Sequence, residues 1–346
     1  MPLGQRVDYY KRLDVEAVIG NLLPRTGKID PIFDLDAGYR YPEVENLTKR
    51  DTKGSLELLD ELYEAKILDR EIHDMEIRCP DCTSPNISTR YLCPMCNSFH
   101  IKKTILLEHF ECGYLGPLVT FGEPRICPKC NQPLVDGSYR NAGSIYECAD
   151  CKKQIDTPFV NHWCRTKGYI FSFENAIYQP KFSYFATPET RADMERGIVF
   201  LSPVIGIFEG LGMKRVDNTR VVGTSGVEQI FDACFEGGGR RNYIDIIQGM
   251  DRLGELDILR EYGKVVDSRV DAWVLVSPGL EDKALALSKS YKMNVLDGAK
   301  PDEIYNKLGV ALRERGLTSQ TTLESAKDAS QEQAKPEEKP KSRWRI

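Results

Sequence analysis

The amino-acid sequence predicts a multidomain α+β protein with a cysteine-rich segment in its middle. The chain has 346 residues, which exceeds the roughly 100–200 residues of a typical single domain. Ten of its eleven cysteines lie between Cys79 and Cys164. Further on, strand-like runs at Tyr243–Ile247 and Ala272–Ser277 flank a helical pattern at Gly254–Val265, which is typical of a β-α-β arrangement. We therefore expect a small helical region over 1–75, tandem cysteine-rich modules over 76–168, an α/β domain over 169–316 and a disordered tail over 317–346.

One amphipathic helix is the clearest feature of residues 1–75. Asp51 begins a turn that can cap a helix, and Leu58, Leu59 and Leu62 then recur at helical spacing. Two interpretations are open: a helix that packs at the start of the cysteine-rich region, or part of a small winged-helix module. A single helix does not establish a helix-turn-helix motif, so we prefer the packing helix.

Paired cysteines dominate residues 76–168, where turn residues are frequent and apolar runs are short. The Cys-x-x-Cys spacing turns two thiolates toward one point, and two such pairs close a tetrahedron around Zn²⁺ in a zinc ribbon. Zinc can replace an apolar core here because its binding free energy becomes folding free energy. The predicted zinc ligands are Cys79, Cys82, Cys93, Cys96, His109, Cys112, Cys127, Cys130, Cys148 and Cys151.

The sequence leaves open how these pairs divide among zinc ions. Cys93–Cys96 has two candidate partners, the pair Cys79–Cys82 and the pair His109–Cys112. Cys127–Cys130 likewise has a neighbouring pair on each side at a spacing that suits a ribbon hairpin, His109–Cys112 before it and Cys148–Cys151 after it. At least two Zn²⁺ ions are therefore expected for each chain.

A third zinc ion depends on His162 and Cys164. These two residues could complete another site, but Cys164 stands alone, without a second cysteine to form a pair. No position shows the three-ligand open arrangement of a catalytic zinc. We expect every zinc site to be closed and structural.

Two stretches of the α/β region carry its candidate chemistry, one from Gly223 to Ile247 and one from Asp271 to Gly298. Together, over about 219–298, they resemble the restriction-endonuclease-like fold of the Mrr type. In that family one strand bears an Asp and the next strand bears an acidic-x-Lys triplet. The resemblance implies a site in which two carboxylates hold Mg²⁺ and a lysine activates the attacking water.

Asp232 and Asp245 match the two carboxylates of that family. The lysine position holds Ile247, whose apolar side chain cannot stabilise charge. Lys264 on the following helix could replace the lysine if that helix folds back. Because losing one member of a catalytic set removes most of the rate, we predict an inactive site. The alternative is a Mg²⁺-dependent DNA nuclease that uses Asp232, Asp245 and Lys264.

The order of the cysteine and histidine pairs resembles the thaumarchaeal output domain. The resemblance covers about 78–156, and its most particular element is Glu108-His109-x-x-Cys112-Gly113. That family of zinc-ribbon modules occurs in archaeal and bacterial signalling chains. The resemblance implies a regulatory output role in transcription or signal response.

Composition narrows the function classes further. The net charge of −5 argues against a nucleic-acid footprint over the whole chain, but not against a local basic face. No apolar run approaches the ~20 residues of a membrane span, and Met1–Tyr10 has no signal-peptide core, so we expect a soluble cytoplasmic protein. We predict a non-catalytic, zinc-binding regulatory protein that binds either nucleic acid or a transcription or other regulatory protein partner. A structural adaptor in a larger assembly is a further hypothesis.

Overall fold

The computed structural model describes residues 3–316 and confirms a mixed α+β protein. The predicted disordered tail, residues 317–346, lies outside the described residues. Within the described range, no helix has the length and apolar character needed to cross a membrane. The α-helices are α1 (Leu3–Tyr10), α2 (Leu13–Glu16), α3 (Leu23–Thr26), α4 (Pro42–Thr48), α5 (Thr52–Glu64), α6 (Pro188–Arg196), α7 (Leu201–Gly210), α8 (Glu255–Ser268), α9 (Asp282–Ser290) and α10 (Pro301–Glu314).

Short helices of other types and the β-strands complete the secondary structure. A π-helical segment spans Ala17–Leu22, and 3₁₀ turns span Leu118–Phe121 and Phe173–Asn175. The strands are β1 (Ile32–Asp34), β2 (Gly38–Arg40), β3 (Leu68–Arg78), β4 (Ile87–Leu92), β5 (Ile101–His109), β6 (Tyr114–Pro117), β7 (Tyr139–Cys148), β8 (Gln154–Ile155), β9 (Phe159–Cys164), β10 (Tyr169–Ser172), β11 (Ile177–Ala186), β12 (Lys214–Val216), β13 (Arg220–Val222), β14 (Glu228–Ile230), β15 (Ala233–Gly237), β16 (Arg240–Gln248), β17 (Ala272–Ser277) and β18 (Asn294–Asp297).

Tertiary contacts divide the described chain into two compact units. Unit 1 comprises residues 3–29, 41–70 and 184–316, and unit 2 comprises residues 30–40 and 71–183. These units do not follow the consecutive boundaries expected from the sequence, because most of the N-terminal region lies in the same unit as the α/β region. Patterns within one segment carry no information on such distant contacts.

Five strands form the central sheet of unit 1, in the order β12-β15-β16-β17-β18. β12, β15 and β16 are antiparallel neighbours, whereas β16, β17 and β18 are parallel. Phe208 of α7 stacks on Phe235 of β15 on one face, with ring centroids 4.2 Å apart. On the other face Ile258 of α8 packs with Val274 of β17. The sheet therefore lies between two helical layers, which is an α/β arrangement.

The N-terminal helices join unit 1 through buried polar contacts. Arg6 Nε donates to Asp193 Oδ2 at 2.7 Å, and the Tyr10 hydroxyl donates to the same oxygen at 2.9 Å. The Asp193 side chain is 1% exposed, so removing either partner would weaken the pairing of a buried charge. These contacts hold the end of α1, and with it Lys11, in a defined place within unit 1.

Unit 2 is built from antiparallel ladders between an outgoing and a returning part of the chain. β4 pairs with β9, and β5 pairs with β7. Ile87 lies opposite Cys164, and Ile101 lies opposite Cys148. The outgoing strands β4 and β5 therefore pair with the returning strands in reverse order: the first outgoing strand, β4, pairs with the last returning strand, β9, and β5 pairs with β7.

The apolar clusters around the cysteines of unit 2 are small. Each consists of three buried residues, whereas one cluster in unit 1 contains fourteen. Each also includes cysteines among its members. So little buried apolar surface gives these loops limited stabilisation, and another source of folding free energy is needed. The three sets are Cys79, Cys164 and Phe171; Cys93, Cys148 and Ile155; and Leu107, Phe121 and Cys127.

Candidate functional site

Side chains able to ligate a metal ion converge at three places in unit 2. Within each place the ligand atoms all lie within 4.8 Å of one another. The four-cysteine cluster is Cys93, Cys96, Cys148 and Cys151; the histidine cluster is His109, Cys112, Cys127 and Cys130; the three-cysteine cluster is Cys79, Cys82 and Cys164.

The sulfur spacing of the four-cysteine cluster fits a tetrahedral zinc ion. Cys93 Sγ lies 3.6 Å from Cys151 Sγ, and Cys96 Sγ lies 3.6 Å from Cys148 Sγ. A Zn–S bond of about 2.3 Å places the sulfurs of a tetrahedron about 3.8 Å apart. A disulfide would bring two sulfurs to about 2.0 Å. The observed spacing therefore fits a metal site better than a disulfide, and soft thiolates favour Zn²⁺ over Mg²⁺ or Ca²⁺.

The histidine cluster has the same dimensions with one nitrogen donor. His109 Nδ1 lies 3.4 Å from both Cys112 Sγ and Cys130 Sγ, and Cys112 Sγ lies 3.5 Å from Cys127 Sγ. His109 is fully buried, and its Nε2 has no hydrogen-bond partner among the described residues. Nδ1 is therefore the nitrogen placed to bind zinc, in a three-cysteine, one-histidine set that is common in structural sites.

Each cluster is assembled from two short turns with one backbone conformation. In each turn the amide of residue i+4 donates to the carbonyl of residue i, and residue i+4 is left-handed. Asn97 donates to Cys93 at 2.8 Å with φ 58°, and Lys152 donates to Cys148 at 2.9 Å with φ 59°. We call this turn a knuckle, and it directs the side chains of residues i and i+3 to one point. In the three clusters, knuckles begin at Cys79, Cys93, His109, Cys127, Cys148 and Cys164.

These knuckles pair in nested order: along the chain, the first pairs with the sixth, the second with the fifth and the third with the fourth. Among the pairings of consecutive pairs that the sequence left open, only that of His109–Cys112 with Cys127–Cys130 occurs, and Cys127–Cys130 does not meet Cys148–Cys151. The antiparallel ladders explain the difference, since they bring the starts of the outgoing strands β4 and β5 opposite the ends of the returning strands β9 and β7. The knuckle at His109 pairs with that at Cys127, the one at Cys93 with that at Cys148, and the one at Cys79 with that at Cys164.

The outermost pair places Cys164 with Cys79 and Cys82. Cys82 Sγ lies 3.6 Å from Cys164 Sγ. His162, predicted to join Cys164, lies outside this group. It is buried, and neither ring nitrogen has a hydrogen-bond partner among the described residues. Of the two residues expected at a third site, the structure therefore places Cys164 in the cluster and leaves His162 outside it.

The thiols of the four-cysteine cluster differ in their affinity for protons. A hydrogen bond from the Cys151 amide outweighs burial and helps to lower the pKa of Cys148 to about 6. The amide of Ser98 lowers the pKa of Cys96, but burial and the neighbouring thiols outweigh it and raise that pKa to about 12. A bound cation must displace protons from such thiols, so zinc binding should strengthen as the pH rises.

Unit 1 brings Asp232, Asp245 and Lys264 together, as the alternative hypothesis requires. Lys264 on α8 donates from Nζ to Asp245 Oδ2 at 2.5 Å. The Asp232 amide donates to Asp245 Oδ1 at 3.3 Å, and Asp232 Oδ2 accepts from the Ile246 amide at 2.7 Å. Pairing of β15 with β16 aligns the two aspartates, and α8 folds back over them. We call this group the acidic cluster.

Two further charged residues of the acidic cluster were missed in the sequence. Lys11 Nζ lies 2.9 Å from Asp232 Oδ2. Glu261 lies one turn before Lys264 on α8, and this spacing was a signal that could have identified it. Lys11 had no such signal, because it is distant in sequence from every other member.

Burial dominates the electrostatics of the acidic cluster. It raises the pKa of Glu261 to about 7, helped by the negative charge of Asp245. Burial also raises the pKa of Asp245, with Lys264 opposing this effect and Asp232 adding to it. Ile247, at the expected lysine position, packs in the apolar layer between the sheet and α8 and α9. Three carboxyl groups and two ammonium groups therefore share a largely buried space.

A cleft of about 500 Å³ opens beside Asp232. Lys11, Arg12 and Arg215 contribute positive charge to its lining. Asp14 and Asp232 also line the cleft, and Arg12 and Lys11 are already paired with them, so both signs of charge are present.

The comparisons with known proteins are limited to part of the chain. Residues 16–184, just under half of it, match the family model for thaumarchaeal output domain 1. No curated protein matches the sequence. A solved structure titled "Crystal Structure of Protein of Unknown Function AF1548" is 18% identical, with a TM-score of 0.26, over 33% of this chain and 63% of that one. The chain therefore covers less than two thirds of that protein.

Proposed function

We propose that this chain is a zinc-binding regulatory protein that acts through nucleic-acid binding by unit 2. The observation that carries the proposal is the nested set of cysteine and histidine clusters within the segment that matches thaumarchaeal output domain 1. Zinc held at the four-cysteine and histidine clusters would order the loops around it. Such loops can present side chains to a partner at fixed positions, without catalysis.

Basic and aromatic side chains near the four-cysteine cluster favour nucleic acid over a protein partner. Lys102 and Lys103 lie on β5, whose neighbour β7 ends in Cys148, and both side chains are exposed. As successive strand residues they lie on opposite faces of the sheet, and Lys102 is opposite Glu147 of β7. Lys152 and Lys153 follow the second knuckle of this cluster and are also exposed. Phe99, next to the first knuckle, is 68% exposed. Lysines that neutralise phosphates and an aromatic ring on which a base can stack are the elements of such a surface.

Fluorescence anisotropy with labelled single- and double-stranded DNA and RNA tests this proposal over a range of salt concentrations. The Lys102→Glu/Lys103→Glu variant should bind at least about tenfold more weakly, with a salt slope reduced by roughly 1–2. Lys283→Glu/Lys289→Glu on α9 is the matched control and should bind as the unaltered chain does. Absence of binding to every probe at low salt would contradict the proposal. Co-purification of a fixed protein partner without nucleic acid would favour the adaptor hypothesis instead.

A second candidate function is a Mg²⁺-dependent nuclease, which the convergence of Asp232, Asp245 and Lys264 favours. Carboxylate oxygens suit Mg²⁺, and bound Mg²⁺ would supply an activated water and stabilise charge on a phosphate. Asp232 and Asp245 would hold the ion, and Lys264 would orient the water. However, Lys11 and Lys264 already neutralise these two carboxylates at 2.9 Å and 2.5 Å. The regulatory function therefore has the stronger support.

Incubation of the full chain with DNA and Mg²⁺ or Mn²⁺ tests the second candidate. A nuclease would cut the DNA, and Asp232→Ala would abolish cutting. Asp282→Ala, at the exposed start of α9, should cut normally. Intact DNA with both cations, in a preparation whose central sheet is folded, would rule out this candidate.

A further inference from the structure

The knuckle that begins at Cys164 differs from the other five at one position. In the others, the residue three positions after the first ligand is a cysteine, whereas here it is Lys167. The backbone turn is intact, since the Gly168 amide donates to the Cys164 carbonyl at 2.8 Å and Gly168 has φ 64°. The chain therefore keeps the conformation that presents two ligands but supplies only one.

We propose that the three-cysteine cluster holds a third zinc ion with one coordination position open to an external ligand. This inference rests on the zinc binding proposed above for the other two clusters. Cys82 Sγ and Cys164 Sγ are separated by 3.6 Å, the same spacing as in the four-cysteine cluster. Cys79 and Cys164 are fully buried, which gives the ion a rigid base.

The open position faces solvent. In the complete knuckles that begin with cysteine, the first cysteine is buried and the second lies nearer the surface. Lys167 occupies the second position here, and its side chain is 54% exposed. Lys167 Nζ lies 3.4 Å from Asp81, which is also exposed. An ion pair of this kind contributes little stability, so it presents only a weak barrier to a ligand that enters there.

His162 is not placed to fill this position. It precedes Cys164 on β9, on the buried side, and it lies outside the group of ligand atoms. Its ring rests against Phe171 with centroids 5.4 Å apart. The proposed fourth ligand is therefore one from outside the chain.

The chemistry of the site indicates the class of ligand. Three thiolates and Zn²⁺ carry a net charge of −1, and a zinc ion with three protein ligands binds water or an exchangeable ligand at the fourth position. A small thiol matches the soft character of the other donors and can displace water. This site would differ from the two closed sites, contrary to the expectation that every site is closed.

Cobalt substitution of the full chain tests the proposal, because the visible spectrum of Co²⁺ reports its ligands. We expect three Co²⁺ ions per chain. When 2-mercaptoethanol is added, the absorption of one of these three ions, about one third of the total signal, should shift. Lys167→Cys should keep three ions but lose the response, because a fourth cysteine closes the site. Cys164→Ser should bind two ions and show no response. Cys234→Ser is the matched control, since this buried cysteine lies outside the clusters, and it should behave as the unaltered chain does.

The outcomes separate this proposal from the one on which it rests. Two ions in the unaltered chain and three in Lys167→Cys would overturn the third site, and a spectrum unchanged by the thiol would overturn the open position. A changed spectrum in His162→Phe before thiol addition would make His162 the fourth ligand and would also overturn it. Fewer than two ions in the unaltered chain would instead contradict the proposed zinc-binding function itself.

Discussion

Glu261 shows how burial changes the chemistry of a single residue in the acidic cluster. Its Oε2 is buried without a hydrogen-bond partner among the described residues. The charged form of such a carboxyl group is unfavourable, and the negative charge of Asp245 makes it more so. Lys11 and Lys264 only partly compensate. The folded state therefore binds a proton at Glu261 more tightly than the unfolded state does.

This property predicts a defined pH dependence for unit 1. The pKa of Glu261 rises from its ordinary 4.5 to about 7 in the folded state, so its contribution to stability falls as the pH rises between these values. Glu261→Gln mimics the protonated form and should stabilise unit 1 above pH 7 by roughly 1–3 kcal/mol, with little effect near pH 4.5. Amide hydrogen exchange of β16 and β17 at pH 5 and pH 8, corrected for intrinsic rates, measures the difference. Exposed Glu314→Gln is the control, and protection in Glu261→Gln that equals that of the unaltered chain at both pH 5 and pH 8 would contradict the prediction.

Single residues were predictable to the extent that a pattern marked them. The resemblance to a nuclease fold singled out Asp232, Asp245 and Lys264, and the structure brings all three together. Lys11 completes the group from a helix far away in sequence. No local spacing connects Lys11 to Asp232, so only the tertiary fold could show that they meet.

Among the elements, local signals predicted helices and turns well. Asp51 caps α5 by accepting from the Gly54 amide at 2.7 Å, and Leu58, Leu59 and Leu62 are buried as their spacing indicated. A helix cap and an apolar stripe each involve residues only a few positions apart, so both can be predicted from the local sequence alone.

The partners of the knuckles were not predictable in the same way. The Cys-x-x-Cys spacing determines the turn, but nothing in it determines which other turn completes the metal site. That choice depends on the register of β4 with β9 and of β5 with β7. Distances along the sequence favoured neighbouring pairs, whereas the ladders produce nested ones.

The nested pairing predicts an unusual result for double variants. Cys93→Ser/Cys148→Ser removes two ligands from one cluster and should release a single zinc ion. If consecutive pairs shared ions, the same variant would damage two sites and release two. Native mass spectrometry of freshly purified, reduced protein counts the bound zinc.

The matched comparison is Cys93→Ser/Cys127→Ser, which alters two different clusters. It should lose two zinc ions under the nested pairing. Loss of two ions from Cys93→Ser/Cys148→Ser would show that the ladders do not define the metal sites.

The whole molecule combines two ways of stabilising a fold. Unit 1, which is assembled from discontinuous segments of the chain, has a large apolar core around its sheet. Unit 2 has only small apolar clusters, each built around cysteines. The sequence showed this contrast in composition, and it predicted metal where apolar residues were scarce. It did not show that the N-terminal helices pack in unit 1, because that depends on contacts such as Arg6 with Asp193.

Hydrogen exchange of the full chain with and without a strong zinc chelator tests the central claim that bound metal stabilises unit 2. We predict that the amides of β5 and β7 lose their protection when zinc is removed, whereas those of β16 and β17 in unit 1 keep theirs. Unchanged protection of β5 and β7 in a preparation shown to be free of zinc would contradict the account.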